Sequence, residues 1–265
     1  MPHLCLFQLG PNPASPFPPA ELALDEPDGL LAMGGDLSPT RFLTAYRSGI
    51  FPWYSEGEPI LWWSPNQRAV FRSDGVHVPR RLRRTLRHSG WRVRADTAFA
   101  AVVHGCMAPR PGQDGTWITS DMQAAYLELH RLGHAHSIDV FAGDTLVGGV
   151  LGLAVGKMFC GDSMFSTHSG ASTVALVALA SRLQDWGWPC FDAQVPNAHT
   201  RRLGVEVWTR ADYLHALATA ITDPGRIGSW TKAFGEADAA TLLRNAREPR
   251  KTSFTRPEPP SSISK

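Results

Sequence analysis

The chain has 265 residues, 43% of them hydrophobic and 19% charged, with a formal net charge of +2 at pH 7. That is one large domain or two small ones, with enough chain to bury a core and the composition of a soluble globular protein. Four scattered cysteines, Cys5, Cys106, Cys160 and Cys190, form no C-x-x-C pair and read as reduced thiols, which excludes a disulfide framework or a zinc site.

The N-terminus lacks the basic start and apolar stretch of a signal peptide. Residues 10–40 are rich in Pro, Gly and Asp and read as an extended segment that wraps or caps something. A short helix follows Pro39, with Ser38 as its cap, through Phe42, Leu43 and Tyr46 to Gly49. Aromatic residues between prolines come next, at Phe51 to Tyr54 and Trp62 to Pro65, and a domain boundary is expected near residue 70. The segment from Val78 to Gly90 reads as one helix, with Pro79 in its first turn and Gly90 past its end.

From Trp91 the pattern becomes regular. A strand at Trp91 to Arg94 precedes a helix that starts at Thr119 to Asp121 and stops at Gly133, its apolar face made by Met122, Ala125, Tyr126 and Leu129. A strand through Ile138, Val140 and Phe141 turns at Gly143-Asp144 into a second, Leu146 to Val155. The stretch from Val147 to Val155 is glycine-broken and too short to span a bilayer, so no membrane contact and a cytoplasmic location are expected. A third strand covers Met158 to Phe165, and Gly170-Ala171-Ser172 opens a helix through Leu183. A strand at Pro189 to Val195, a short helix to Gly204, a strand at Val205 to Trp208 and a helix from Ala211 to Ile221 follow. The tail, residues 248–265, has a disordered composition. This order predicts an α/β (α+β) fold: an N-acetyltransferase-like mixed sheet with flanking helices, to be searched where its central strands splay.

Between Asp74 and Asp96 there is no acid. On a helix, Arg80, Arg83, Arg84 and Arg87 share one arc and Leu82 and Leu86 the opposite side. Such a face is either solvated or laid against an anion; the missing acids and the fit of guanidinium to phosphate favour a nucleic-acid backbone. Asp192 and Gln194, two apart on a predicted strand, would share a face. The carboxylate would then polarise and orient the amide, or both would simply face solvent. The strand from Phe159 to Phe165 mixes apolar residues with Asp162, and so suits either a buried strand or an apolar pocket with one charge. Trp53, Trp62, Trp63 and Trp117 are core, or stack a base or sugar. The connection from Thr167 to Ser172 keeps only the glycine of the Q/R-x-x-G-x-G/A loop that holds coenzyme A in acetyltransferases of this fold, so coenzyme A is not expected.

Eight stretches, in order, carry a family resemblance: GLLAMGGDL (29–37), AYRSGIFPW (45–53), ILWWSP (60–65), GTWIT (115–119), GHAHS (133–137), LVGG (146–149), CGDSMFS (160–166) and DAQ (192–194), with His199 and Leu203-Gly204 beyond. Together they resemble the leucyl/phenylalanyl-tRNA–protein transferases of bacteria. The resemblance implies a small N-terminal domain (1–70) on an acetyltransferase-like catalytic domain (71–247) that uses no cofactor or metal. It implies transfer of Leu or Phe, and Met more weakly, from aminoacyl-tRNA to acceptor proteins with N-terminal Arg or Lys, marking them for N-degron-dependent degradation. It implies that Asp192 and Gln194 are catalytic and that Trp53 and Trp117 hold the aminoacyl-adenosine end. Phe159, Asp162 and Met164 would border the amino-acid pocket, and the basic helix (Arg80, Arg83, Arg84, Arg87) would touch the acceptor stem. The family usually has Glu where Asp162 stands; one methylene less shortens its reach by ~1.5 Å, so direct contact with a bound amino group would need a bridging water. Thr173 replaces a Lys, Ala193 a Cys, and Arg202 a small residue.

Overall fold

The computed structural model describes residues 6–108 and 117–246, so Cys5, the first two residues of the GTWIT stretch and the tail lie outside it. The first third runs β1 (Phe7–Leu9), a 3-10 turn (Ala20–Leu22), β2 (Leu30–Gly34), α1 (Pro39–Arg47), β3 (Phe51–Pro52), β4 (Leu61–Trp63), β5 (Gln67–Arg72) and α2 (Arg80–Thr85). The middle runs β6 (Arg92–Ala95), α3 (Phe99–Met107), α4 (Ser120–Arg131), β7 (Ala135–Ala142), β8 (Thr145–Val155), β9 (Met158–Ser166) and α5 (Ala171–Asp185). The rest is β10 (Cys190–Asp192), α6 (Ala198–Arg202), β11 (Glu206–Thr209), α7 (Arg210–Ala220), α8 (Thr231–Phe234), β12 (Ala237–Asp238) and α9 (Ala239–Asn245).

Two sheets form. The small one has the order β1-β2-β4-β3, and the large one β11-β5-β10-β9-β8-β7-β6-β12. Residues 67–70, grouped with the N-terminal unit in the sequence reading, thus belong to β5 of the large sheet. From β6 to β9 the large sheet is an antiparallel meander, built on the expected turn at Gly143-Asp144. Helix α5 then crosses over so that β10 runs parallel to β9. This is the mixed sheet with flanking helices that the element order predicts.

Apolar side chains cover both faces of the large sheet. On one face Val174, Leu179 and Leu183 of α5, with Leu243 of α9 and Trp230, pack on Val140, Val150 and Phe159. On the other, α1, α3, α4 and the small sheet join in a core around Phe42, Trp62, Tyr126 and Leu151. Burial of this kind stabilises by roughly 25 cal/mol per Å² of apolar surface and fixes the two sheets to each other. The wrapping expected of residues 10–40 has a specific anchor. Arg41 of α1, fully buried, donates to the carbonyls of Gly10 (2.9 Å), Asn12 (2.7 Å) and Ser15 (3.3 Å) and pairs with Asp36. Ser38 caps α1 by accepting from the Arg41 N–H, as its sequence position predicts.

Two local expectations are corrected. The helix expected from Val78 to Gly90 ends at Thr85, so Arg87 lies just past it. With four arginines and no acid of its own, α2 carries like charges along one short helix, which disfavours its extension. The strand expected over Pro189 to Val195 ends at Asp192, because Gln194 turns into the left-handed region (φ 58°). Cys106, Cys160 and Cys190 are free and buried. Among the described residues no three His, Cys, Asp or Glu side chains cluster as metal ligands, and no helix is long and apolar enough to cross a membrane.

Candidate active site

Strands β9 and β10 share a single pair, Asp192 with Cys160, after which β10 stops and β9 continues to Ser166. A cavity of about 220 Å³ opens there. Phe71, Val150, Phe159, Leu176, Leu179 and Phe191 give it apolar walls, and Trp53, Trp117, Asp162, Met164, Asp192 and Gln194 also line it. Every residue expected to act on the aminoacyl group therefore meets in one place. The basic residues Arg80, Arg83, Arg84 and Arg87 lie apart, around a second groove.

The grouping of Phe159, Asp162 and Met164 needs a defect in the sheet. Strict alternation would put Phe159 and Asp162 on opposite faces. The pairing shifts between Leu151–Ser163 and Gly152–Gly161, so Asp162 is the extra residue of a bulge. A bulge re-aims a side chain, and here it turns the carboxyl into the cavity. Gly152 opposite makes room: a Cβ there would stand 2.5 Å from the Phe159 ring and closer still to the Cys160 carbonyl.

Asp192 is fully buried, and the hydrogen bond it accepts from Gln194 comes from the backbone N–H, not the side-chain amide. Its carboxylate receives a two-point salt bridge from Arg68 of β5, Nε to Oδ1 at 2.9 Å and Nη2 to Oδ2 at 2.6 Å. The Tyr213 hydroxyl donates to Oδ2 (3.2 Å), and the Gln194 backbone N–H donates to Oδ1 (2.8 Å). Arg68 also donates to the Gly49 carbonyl (3.0 Å) and lies over the rings of Tyr213 and Phe51. The Asp192 carboxylate holds its guanidinium well above the ordinary range despite burial. The expectation that Asp192 polarises the amide of Gln194 is thus corrected: Asp192 fixes the backbone turn that presents Gln194. The Ala69 N–H secures the same turn by donating to the Gln194 carbonyl (2.8 Å).

Asp162 is what orients the Gln194 amide. Nε2 donates to Asp162 Oδ1 at 2.6 Å, and the Tyr46 hydroxyl of α1 donates to the same oxygen at 2.8 Å. Asp162 Oδ2 and the Tyr126 hydroxyl are both buried without a hydrogen bond of good geometry, although Tyr126 lies close enough to feel the carboxylate's charge. Burial pushes the Asp162 carboxyl up to about 7, outweighing the Tyr46 and Tyr126 hydroxyls that stabilise its charge. Burial and the same carboxylate push both phenols well above their usual range, so they remain protonated donors.

At the mouth, Trp53 is 48% exposed and Val195 39% exposed. Trp53 leans on Trp63, whose indole N–H donates to the Trp53 carbonyl (2.7 Å). Across from it, Trp117 leads into α4, whose cap Thr119 hydrogen-bonds the Tyr54 hydroxyl (3.2 Å). Asn197, Oδ1 of which accepts from the His199 and Thr200 N–H groups, closes the rim with a capping box that starts α6. Sequence reasoning missed Arg68, Tyr46, Tyr126 and Tyr213. The signal available was an arginine beside the apolar run Ala-Val-Phe (69–71) of β5, since a buried charge requires a partner.

The family described as leucyl/phenylalanyl-tRNA protein transferase matches residues 70–218, and its N-terminal domain matches residues 35–66. A relative named leucyl/phenylalanyl-tRNA–protein transferase from Xanthomonas campestris pv. campestris (strain B100) is 58% identical over 91% of this chain and 96% of its own. Relatives of the same name from Xanthomonas euvesicatoria pv. vesicatoria (strain 85-10) and Xylella fastidiosa (strain M23) are 61% and 57% identical; they cover 88% and 91% of this chain and 94% and 100% of their own. Among solved structures, L-PGS from Bacillus licheniformis aligns with a TM-score of 0.36 and 10% identity over 63% of this chain and 54% of that one, too loose a likeness to bear on the assignment. Two matched segments that meet around one cavity, and relatives similar along nearly their whole length, place the chain in the leucyl/phenylalanyl-tRNA protein transferase family.

Proposed function

We propose that this protein takes leucine or phenylalanine, and methionine more weakly, from an aminoacyl-tRNA and joins it to the N-terminal amino group of proteins that begin with Arg or Lys, marking them for N-degron-dependent degradation. The observation that carries this reading is the cavity itself: apolar walls at Phe159 and Met164, the carboxyl of Asp162 beside the amide of Gln194, and tryptophans at its mouth. Its size and lining suit a leucyl or phenyl side chain. Trp53 and Trp117 offer flat faces for the terminal adenosine.

An aminoacyl ester is already activated. The site has to bring the amine to the ester carbonyl, take up its proton and steady the oxyanion. Gln194 donates through Nε2 to Asp162, so the amide oxygen is the end free to accept from the attacking amine. An amide is a weak base, and positioning therefore supplies much of the rate. Asp162, when ionised, also offers the substrate's α-ammonium a charged partner in the cavity wall. Coenzyme A has no ready cradle: at the start of α5 the Ala171 N–H donates to the His168 carbonyl (3.1 Å) and the Ser172 N–H to Ser166 Oγ (2.9 Å).

The test is turnover. Leucyl-tRNA and a labelled peptide with N-terminal Arg should yield a peptide one leucine longer, and a peptide with N-terminal Ala should not. A hydrophobic pocket separates side chains by only ~1–3 kcal/mol per methylene, so methionine should transfer slowly rather than not at all. No transfer to any peptide, or equal transfer of charged and apolar amino acids, would overturn the reading.

A further inference from the structure

Phe159 of β9 is fully buried and its ring forms part of the apolar wall of the cavity. What lies behind that ring decides how far it can yield. The ring crosses Gly152 of β8, where a Cβ would stand 2.5 Å from it. Gly152 in turn pairs with His136 of β7, so ring, glycine and imidazole share one face of the sheet. Over the same face lies Trp230. Its indole rests on the His136 imidazole, with centroids 3.8 Å and planes 10° apart, and meets the Phe159 ring at 5.8 Å and 44°.

Trp230 is itself held from several sides. Its backbone N–H donates to Asp96 Oδ2 (2.7 Å), the oxygen that also accepts from His136 Nδ1 (3.0 Å). Its indole N–H donates to the Arg226 carbonyl (3.0 Å). Trp186 and Trp188 meet it edge-on at 4.9 Å and 5.9 Å. Packing this close leaves the indole little freedom to move. Trp230 lies beyond the family-matched residues 70–218, in the stretch that returns to the sheet at β12.

We infer that Trp230 is a positioning residue for amino-acid selectivity: it holds the Phe159 ring forward and so sets the depth of the apolar cavity. The inference rests on the proposed aminoacyl pocket and names what fixes its size. A void behind a buried ring forfeits the contacts of its lining, so the ring moves into it. With a smaller side chain at position 230 Phe159 tilts back, the cavity deepens, and a phenyl side chain gains over an isobutyl one.

The probes are the leucyl and phenylalanyl amides of 3′-amino-3′-deoxyadenosine, which present side chain, α-ammonium and adenosine through a bond far harder to break than an ester. Their dissociation constants are measured by calorimetry. Trp230→Leu should raise the ratio of phenylalanyl to leucyl affinity by about tenfold, the lower end of what one methylene is worth in an apolar pocket. Trp230→Phe keeps a ring beside His136 and should raise the ratio by less. Phe234→Leu, at a buried position in the same stretch, should leave it at the parent's value. A loss of folded protein scales both bindings alike and cancels in the ratio. A ratio unchanged in both Trp230 variants overturns the inference; if Trp230→Leu does not fold, Trp230→Phe decides alone. An equal shift in Phe234→Leu also overturns it, because loosened packing would then explain the effect. Failure of the parent to bind either amide overturns the inference together with the pocket it rests on. Leucine transfer by the parent from leucyl-tRNA is scored separately. Transfer with an unshifted ratio sinks only the role of Trp230, and a shifted ratio without transfer sinks only the transferase reading.

Discussion

Replacing Asp162 by Asn keeps the side chain's shape and removes its titration. In the folded protein this carboxyl has a pKa of about 7, chiefly from burial, against an ordinary 3.8. Folding therefore takes up a proton between those two values. The stability this contributes is complete below the unfolded pKa and is lost as pH rises through the folded one. The gap corresponds to about 4 kcal/mol, which solvent at the half-buried carboxyl trims to about 2–3 kcal/mol. The amide cannot ionise and avoids that loss. Near pH 8 Asp162→Asn should be about 2–3 kcal/mol more stable than the parent, and near pH 4 the two should converge. For a chain of this size that is a rise in melting temperature of about 4–12 °C at the higher pH. Urea titrations of both proteins across this range measure it. Leucine transfer should move the other way, since the amide offers no charge to an α-ammonium group. A stability difference that does not change with pH would refute the assignment of a raised pKa to Asp162.

Arg68→Ala strands a buried carboxylate and should cost about 3–5 kcal/mol, read from the urea midpoint; a cost below about 1 kcal/mol would mean that Asp192 is held by something else. Gln194→Ala should lower turnover strongly while leaving tRNA binding nearly intact, because its proposed contact forms only as the amine loses its proton; a parent-like single-turnover rate would remove Gln194 from the chemistry. Changing Arg83 and Arg84 together to Ala should flatten the salt dependence of tRNA binding by up to ~2, leave the leucine-to-phenylalanine ratio unchanged, and have no effect on an aminoacylated adenosine that lacks a stem.

The elements legible in the sequence were those with long periodic patterns and clean punctuation. Ser38 and Thr119 cap their helices where expected, and Gly143-Asp144 turns the β7–β8 hairpin. Short pieces held by tertiary contacts were not legible: α3, α8, α9 and β12 were not expected, and β10 is three residues long. The cavity residues came from motif resemblance, but their wiring did not follow from spacing. A bulge at Asp162 and a left-handed Gln194 each shift a side chain off the alternation that sequence reasoning assumes. Arg68, Tyr46 and Tyr213 stand 124, 116 and 21 positions from the acids they bond, and no local pattern reports such contacts.

Arg68 lies between the two matched segments, 35–66 and 70–218, and within neither. Its guanidinium bridges Gly49 at the end of α1 and Asp192 at the end of β10. Tyr46 reaches from α1 to Asp162 in the same way. The N-terminal segment is therefore a wall of the reaction chamber, and the larger segment cut out on its own would keep both acidic side chains but lose Arg68 and Tyr46. Grafting the N-terminal segment of another sequence onto this chain would succeed only if it brought a tyrosine and a backbone carbonyl to those two points. The boundary at which the chain looks divisible is the place where its chemistry is sewn together.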